Sequence, residues 1–120
     1  MTRVDLVLVT MAGSEYALFE RDGGPAFPHG ELRDGEAPAE AARRLVAEWT
    51  GTRAPKLEVL DFLAAPGRLT LVMRALLSDA PSTPHRRAPR MGLPAKVGAL
   101  DGKYVEEALK TSLAYKLTRA

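Results

Sequence analysis

The sequence predicts one layered α/β domain, in which helices flank a mixed β-sheet. Short aliphatic runs typical of strands are separated by two amphipathic segments with helical spacing. The chain has 120 residues, enough for a single sizeable core, and 46% of them are apolar, as in an ordinary globular protein. We therefore expect residues 1–120 to form one domain.

The first third of the chain predicts two strands followed by a loop. Residues 4–11 are mostly aliphatic and β-branched and are expected to form a largely buried strand, with a turn at residues 12–14. Residues 16–21 predict a second strand in a hairpin with the first, and the Asp-Gly-Gly sequence at 22–24 ends it. Two prolines within residues 25–30 favour an extended loop.

A helix is predicted over residues 38–50. Pro38 suits a first helical turn, and Gly51 stands where a C-terminal cap belongs. Thr50 is placed on the polar side of the helix. At 100° per residue, one wide apolar face collects Ala39, Ala41, Ala42, Leu45, Val46 and Trp49.

The second half predicts two more strands, a long loop and a second helix. Residues 57–62 and 69–76 have strand patterns around a Pro-Gly turn, and residues 78–97, with four prolines, are expected to be a loop. A helix is predicted over residues 103–117, because apolar residues recur there at every fourth position: Val105, Leu109, Leu113 and Leu117.

Composition excludes several kinds of site. The chain has no cysteine, so it has no disulfide, no thiolate metal site and no cysteine nucleophile. No apolar run is long enough for a signal peptide or a membrane span, so we expect a cytoplasmic location and no membrane partner. The first 66 residues hold 7 of the 17 Lys/Arg and 11 of the 15 Asp/Glu. This asymmetry fits metal-binding acids paired with phosphate-binding cations, or simply a solvated surface.

The loop and helix between Gly30 and Thr52 resemble the Nudix box, G-x5-E-x7-R-E-U-x-E-E-x-G-U, where U is a bulky aliphatic residue. The positions that match are Gly30, Glu36, Arg44, Val46, Glu48 and Gly51. Leu45, Trp49 and Thr52 depart from the pattern. The chain thus resembles the Nudix (MutT-like) hydrolase superfamily with a degenerate box, which implies an α/β/α sandwich.

The resemblance also implies a chemistry and the residues for it. Nudix hydrolases typically cleave a nucleoside diphosphate linked to another group, with Mg²⁺ or Mn²⁺ held by carboxylates of the box helix. Leu45 and Trp49 stand where two of the three helix carboxylates belong, so Glu48 is the remaining candidate metal ligand and catalytic carboxylate, beside Arg44. Glu36 and Arg44 are expected to brace the loop against the helix. We expect weak Mg²⁺ binding in the absence of a ligand.

Two functions are therefore weighed. The favoured one is a Nudix-fold protein with impaired or absent hydrolysis that binds a nucleotide or pyrophosphate ligand, or a partner. The alternative is an active, divergent Nudix hydrolase that uses Mg²⁺. A homodimer is left open in both cases.

Three further features have alternative interpretations. Trp49 is expected to be partly buried against the sheet, with one edge open to the cleft, and His29 is a loop residue that could stack on a base or bind metal. The basic cluster could clamp phosphates or contact a nucleic-acid backbone, or it could be a solvated loop. Nucleic acid is disfavoured, because no aromatic residue is interleaved with these cations: Arg86, Arg87, Arg90 and Lys96.

Overall fold

The computed structural model describes residues 1–10, 15–54, 56–89 and 92–109. In chain order, these residues form β1 (Thr2–Thr10), β2 (Glu15–Arg21), β3 (Gly24–Ala26), β4 (His29–Glu31), α1 (Pro38–Thr50), β5 (Lys56–Ala65), β6 (Arg68–Leu77), β7 (Arg86–Pro89), β8 (Lys96–Val97) and β9 (Leu100–Asp101). A second helix, α2, follows, and its described part spans 102–109. No helix in the described ranges has the length and apolar character to cross a membrane.

The sheet is mixed, as the sequence predicts. Its main path runs β3-β2-β1-β6-β5, with β4 paired to β1 and β7 paired to β2. β1 is paired in parallel with β6 over the whole length of β1, from the Thr2–Leu69 pair to the Thr10–Leu77 pair, and the other pairs in this sheet are antiparallel. β1 and β6 are central and buried on both faces, which explains their nearly continuous aliphatic sequences.

α1 has the bounds that the sequence predicts, and local interactions account for both ends. At the start, Glu40 Oε1 accepts the backbone N–H of Ala37 at 3.1 Å, and Pro38 lacks the N–H that would need a partner. At the end, Gly51 has a φ of 70° and donates its N–H to the carbonyl of Ala47 at 3.0 Å. Val46 is 1% exposed and anchors the apolar face in the core.

The two helices lie on opposite faces of the sheet, so the layers form the expected α/β/α sandwich. Gly30, which contacts α1, is paired with Val4. Val72 follows the residue of β6 that pairs with Val4, and successive residues of a strand point to opposite faces. Asp61 is paired with Val72, so it belongs to the face opposite Gly30, where it accepts a hydrogen bond from Tyr104 of α2 at 2.7 Å.

The segments predicted as loops contain additional strands. Residues 78–97 include β7, which pairs with β2, and β8, so the prediction of a continuous loop is wrong there. Residues 25–30 likewise contribute to β3 and β4. These strands are only two to four residues long. Such short strands depend on pairing with distant segments, which local sequence does not reveal.

Thr50 is also placed differently from its prediction. It is fully buried rather than solvent-facing, because its hydroxyl donates to the carbonyl of Val46 at 2.6 Å and the loop at Ser82 covers it. The expected turn at 12–14, Arg90, Leu113 and Leu117 lie outside the described residues.

Candidate functional site

A bidentate ion pair joins the loop before α1 to the helix. Arg44 donates through Nε and Nη2 to the two carboxylate oxygens of Glu36 at 2.9 and 3.0 Å, and Nη2 also reaches the carbonyl of Glu31 at 3.1 Å. The bonds from Arg44, followed by the backbone N–H of Arg33, lower the pKa of Glu36 from 4.5 to about 2. The two residues expected to brace the loop therefore lie in direct contact, and the carboxylate stays charged at neutral pH.

Leu45 fills the space between α1 and the loop strand β4. Its side chain is only 3% exposed, and a Cβ added at Gly30 would lie 2.7 Å from Leu45 Cδ2. The absence of a side chain at Gly30 thus allows the leucine to pack directly on the backbone of β4. The position where the box has a carboxylate is dry and occupied.

Trp49 is buried more deeply than expected, with 7% of its surface exposed. Phe19 meets the indole edge-on at a centroid distance of 5.8 Å, and the ring of His29 lies 5.1 Å away. The guanidinium carbon of Arg21 lies 3.8 Å from the centre of the indole ring. The predicted open edge is wrong, because Arg21 and His29 cover the side chain from the cleft.

Glu48 is the carboxylate that remains at the three helix positions of the box. Its side chain is 51% exposed, and two guanidinium groups lie near it, Arg44 Nη1 at 3.6 Å and Arg33 Nη2 at 3.8 Å. No group of three or more His, Asp or Glu in the described residues could hold a metal ion. Since Mg²⁺ prefers several oxygen ligands, the described residues around Glu48 do not fit a divalent cation of the kind that the box resemblance implies.

A cleft of about 440 Å³ opens beside Arg21 and His29, the two side chains that lie against Trp49. Arg3, Arg21, His29 and Lys96 line it, together with Asp22 and a run of small residues at 23–26. His29 Nδ1 donates to the carbonyl of Phe27 at 2.9 Å, since a carbonyl oxygen can only accept. This leaves Nε2 as the nitrogen that can meet a ligand. The cleft is therefore lined by more cationic than acidic side chains.

The basic cluster is split between two places. Arg86 and Arg87 are exposed on β7, where Arg87 lies 3.8 Å from Glu15, and neither lines the 440 Å³ cleft. Lys96 does line it, and its ammonium lies 2.6 Å from Asp101. Of the predicted phosphate-binding cations that are described, only Lys96 is thus brought to the cleft.

Sequence reasoning did not single out Arg3 or Arg21. Arg3 precedes the predicted strand at residues 4–11 but lies in β1, and two hydrogen bonds, at 2.9 and 3.1 Å, join it to the buried Asp5. The sequence does indicate where Arg21 lies in the fold, because this residue directly precedes the Asp-Gly turn at the end of β2. Its contact with Trp49 joins residues 28 positions apart and follows only from the fold.

Comparisons with known proteins agree on one fold. The family model for the NUDIX domain matches residues 2–89. A NUDIX-family hydrolase from Clostridium perfringens is 13% identical, with 92% of this chain and 96% of that chain covered and a TM-score of 0.73. The NUDIX domain of Shewanella oneidensis NrtR, complexed with ADP ribose, is 23% identical over 94% of this chain and 88% of that chain, with a TM-score of 0.67.

The Bacillus subtilis pyrophosphohydrolase BsRppH is also similar, at 20% identity over 92% of this chain and 81% of that chain, with a TM-score of 0.68. None of the proteins with curated functions matches the sequence. At identities this low, the structural likeness establishes the fold and leaves the chemistry to the residues of the site.

Proposed function

The chain belongs to the Nudix domain family, and we propose that it binds a nucleotide or pyrophosphate-type ligand with little or no hydrolysis. Nudix hydrolases generally use divalent metal ions, so a loss of metal ligands affects their reaction first. The fold and the loop brace persist in this chain, whereas two of the three helix carboxylates do not.

The burial of Leu45 and Trp49 carries this proposal. Both side chains are at most 7% exposed, so they are part of the core and leave no room at these positions for a hydrated cation. Glu48 alone offers one carboxylate, and Arg33 and Arg44 already lie beside it. A hydrolytic water at these helix positions would lack the metal ion that activates it and the carboxylates that hold that ion.

The cleft lined by Arg21 and His29 supports the binding part of the proposal. It combines cationic side chains with small backbone-exposing residues, a combination that suits phosphate oxygens. Its volume of about 440 Å³ lies in the usual range for small-molecule pockets. The NrtR domain, which shares this fold, is complexed with ADP ribose, so a dinucleotide-like diphosphate is the first ligand to test.

The test is a paired measurement of turnover and binding. Nucleoside triphosphates, dinucleoside polyphosphates, nucleotide sugars and ADP ribose are incubated with Mg²⁺ or Mn²⁺, and calorimetry measures the binding of each. We expect binding of at least one diphosphate, and turnover far below the ~10 s⁻¹ of a typical enzyme.

Glu48→Gln is the control variant, because it removes the remaining helix carboxylate from an exposed position. Turnover at an ordinary enzymatic rate that disappears in Glu48→Gln would establish the alternative, a divergent metal-dependent hydrolase. The absence of binding to every phosphorylated ligand would reject the proposed function.

A further inference from the structure

Arg21 is held in the cleft from two directions. Its backbone pairs with Gly24 at the end of a hairpin, where Asp22 and Gly23 form a two-residue turn with positive φ angles of 52° and 82°. Its guanidinium lies 3.8 Å from the centre of the Trp49 ring. Because both ends of this long side chain are already fixed, it loses less conformational entropy when it binds a ligand.

Stacking leaves the donors of this guanidinium available. An arginine that lies on an aromatic ring uses the face of its planar group, while its five N–H bonds point outward in that plane. In the described residues, no carboxylate lies within ion-pair distance of Arg21. The indole is a favourable neighbour for a cation, but it accepts none of the in-plane hydrogen bonds.

The other cations of the cleft differ from Arg21 in this respect. Arg3 is bound to both carboxylate oxygens of Asp5, and Lys96 lies 2.6 Å from Asp101. Arg21 therefore contributes the positive charge that is least compensated, and it does so beside His29, whose Nε2 is free of the Phe27 contact.

We propose that Arg21, positioned by Trp49, binds a phosphate group of the ligand directly, without a divalent cation. This inference rests on the proposed function and specifies its binding mode. The guanidinium donates two parallel hydrogen bonds to phosphate oxygens, while Arg3 and Lys96, whose charges are already paired with carboxylates, add a weaker attraction. Trp49 acts as a positioning residue, because it holds the guanidinium and does not itself contact the phosphate.

The experiment measures the binding of ADP ribose and of inorganic pyrophosphate by calorimetry, in EDTA and in Mg²⁺. Trp49 is the only tryptophan, and its emission reports directly on the group stacked against it. We expect both ligands to bind in EDTA with affinity unchanged within about twofold on adding Mg²⁺, and to alter the emission. Binding of ADP ribose alone would assign the recognition to the nucleoside and overturn the phosphate contact.

Arg21→Ala should weaken both ligands about tenfold or more, because a charge-assisted bidentate contact is lost. Arg43→Ala is the matched control, since Arg43 is an exposed arginine that lines a different cleft beside α1. We expect it to bind like the wild type. Equal affinities for the Arg21→Ala and Arg43→Ala proteins would refute the role of Arg21.

The role of Trp49 is tested by a conservative exchange. Trp49→Phe retains an aromatic face for the guanidinium, whereas Trp49→Leu retains only bulk. We expect Trp49→Phe to bind within a fewfold of the wild type and Trp49→Leu to approach Arg21→Ala, with folding checked by circular dichroism. Equal affinity in the Phe and Leu proteins would overturn the positioning role.

The outcomes separate this inference from the function on which it rests. Binding that requires Mg²⁺ would overturn the direct contact and leave a ligand-binding Nudix protein in place. A wild-type protein that binds no phosphorylated ligand, with or without Mg²⁺, would reject both.

Discussion

Replacement of Trp49 by alanine is expected to destabilise the protein by about 3–5 kcal/mol, as in other aromatic core truncations. The indole is only 7% exposed, and a tryptophan side chain buries about 150–250 Å². At roughly 25 cal/mol per Å², this area corresponds to about 4–6 kcal/mol of transfer free energy. The retained Cβ and the compactness of the unfolded chain lower that value, while the cavity and the lost edge contact with Phe19 raise it.

The expected loss from Trp49→Ala is a large fraction of the protein's total free energy of unfolding. A protein of 120 residues has a free energy of unfolding of roughly 6–18 kcal/mol by the usual per-residue range. Urea denaturation followed by far-ultraviolet circular dichroism measures the change, because the variant has no tryptophan to report by fluorescence. The wild-type emission should be blue-shifted and weakly quenched by iodide.

Phe62→Ala provides a matched control, since Phe62 is also aromatic but 61% exposed on the edge strand β5. We expect it to cost less than about 1 kcal/mol. A Trp49→Ala protein as stable as the Phe62→Ala protein, with the same denaturant slope, would mean that the indole does not belong to the core. The reasoning from burial would then be wrong.

Three further predictions concern the loop and helix of the site. The pKa of Glu36 is about 2 in the folded protein, below its ordinary 4.5, so the stability that its ionised form contributes is complete above pH 4.5 and is lost as the pH falls toward 2. Urea midpoints measured across this pH range should therefore fall less in Glu36→Gln than in the wild type. Parallel curves for the two proteins would refute this prediction. Gly30→Ala should lower the free energy of unfolding, measured by thermal denaturation, by about 1–3 kcal/mol, because the added Cβ meets Leu45. If the losses caused by Gly30→Ala and Leu45→Ala were strictly additive in the double variant, that contact would be contradicted. The Leu45→Glu, Trp49→Glu double variant should lose several kcal/mol of its free energy of unfolding, because both carboxylates would lie in a dry site. A melting temperature equal to that of the wild type would show that these positions are not buried.

Local sequence was sufficient for α1 and insufficient for β7. The helix has its own start and stop signals in Pro38 and Gly51, and its apolar face is continuous. The strand at 86–89 has the sequence Arg-Arg-Ala-Pro, which has little intrinsic tendency to form a β-strand, and it exists because β2 offers it a partner. Edge strands also tolerate proline, so Pro89 misleadingly suggested a loop.

The candidate site shows the same division. The contact between Glu36 and Arg44 follows from the spacing of a loop and a helix that are adjacent in sequence. The contact between Arg21 and Trp49 joins a hairpin to the end of α1, and helical phase can place the indole on the apolar face but cannot say what covers it. The sequence therefore predicted partial exposure for a side chain that a distant cation closes off.

Electrostatics supports the proposed binding mode at position 49, where the Nudix box has a carboxylate and this chain has a tryptophan. In a metal-dependent site, carboxylates hold the cation, and the cation attracts the phosphate oxygens. Here a cation approaching Glu48 meets Arg44 and Arg33 at 3.6 and 3.8 Å from the same carboxylate, and these like charges oppose it. Under the proposed binding mode, Arg21 on the indole supplies a fixed positive charge in place of the bound ion. In this binding mode, Trp49 supports a guanidinium at a position where the box has a carboxylate, so the affinity for a phosphate should be independent of Mg²⁺ and should fall with rising salt.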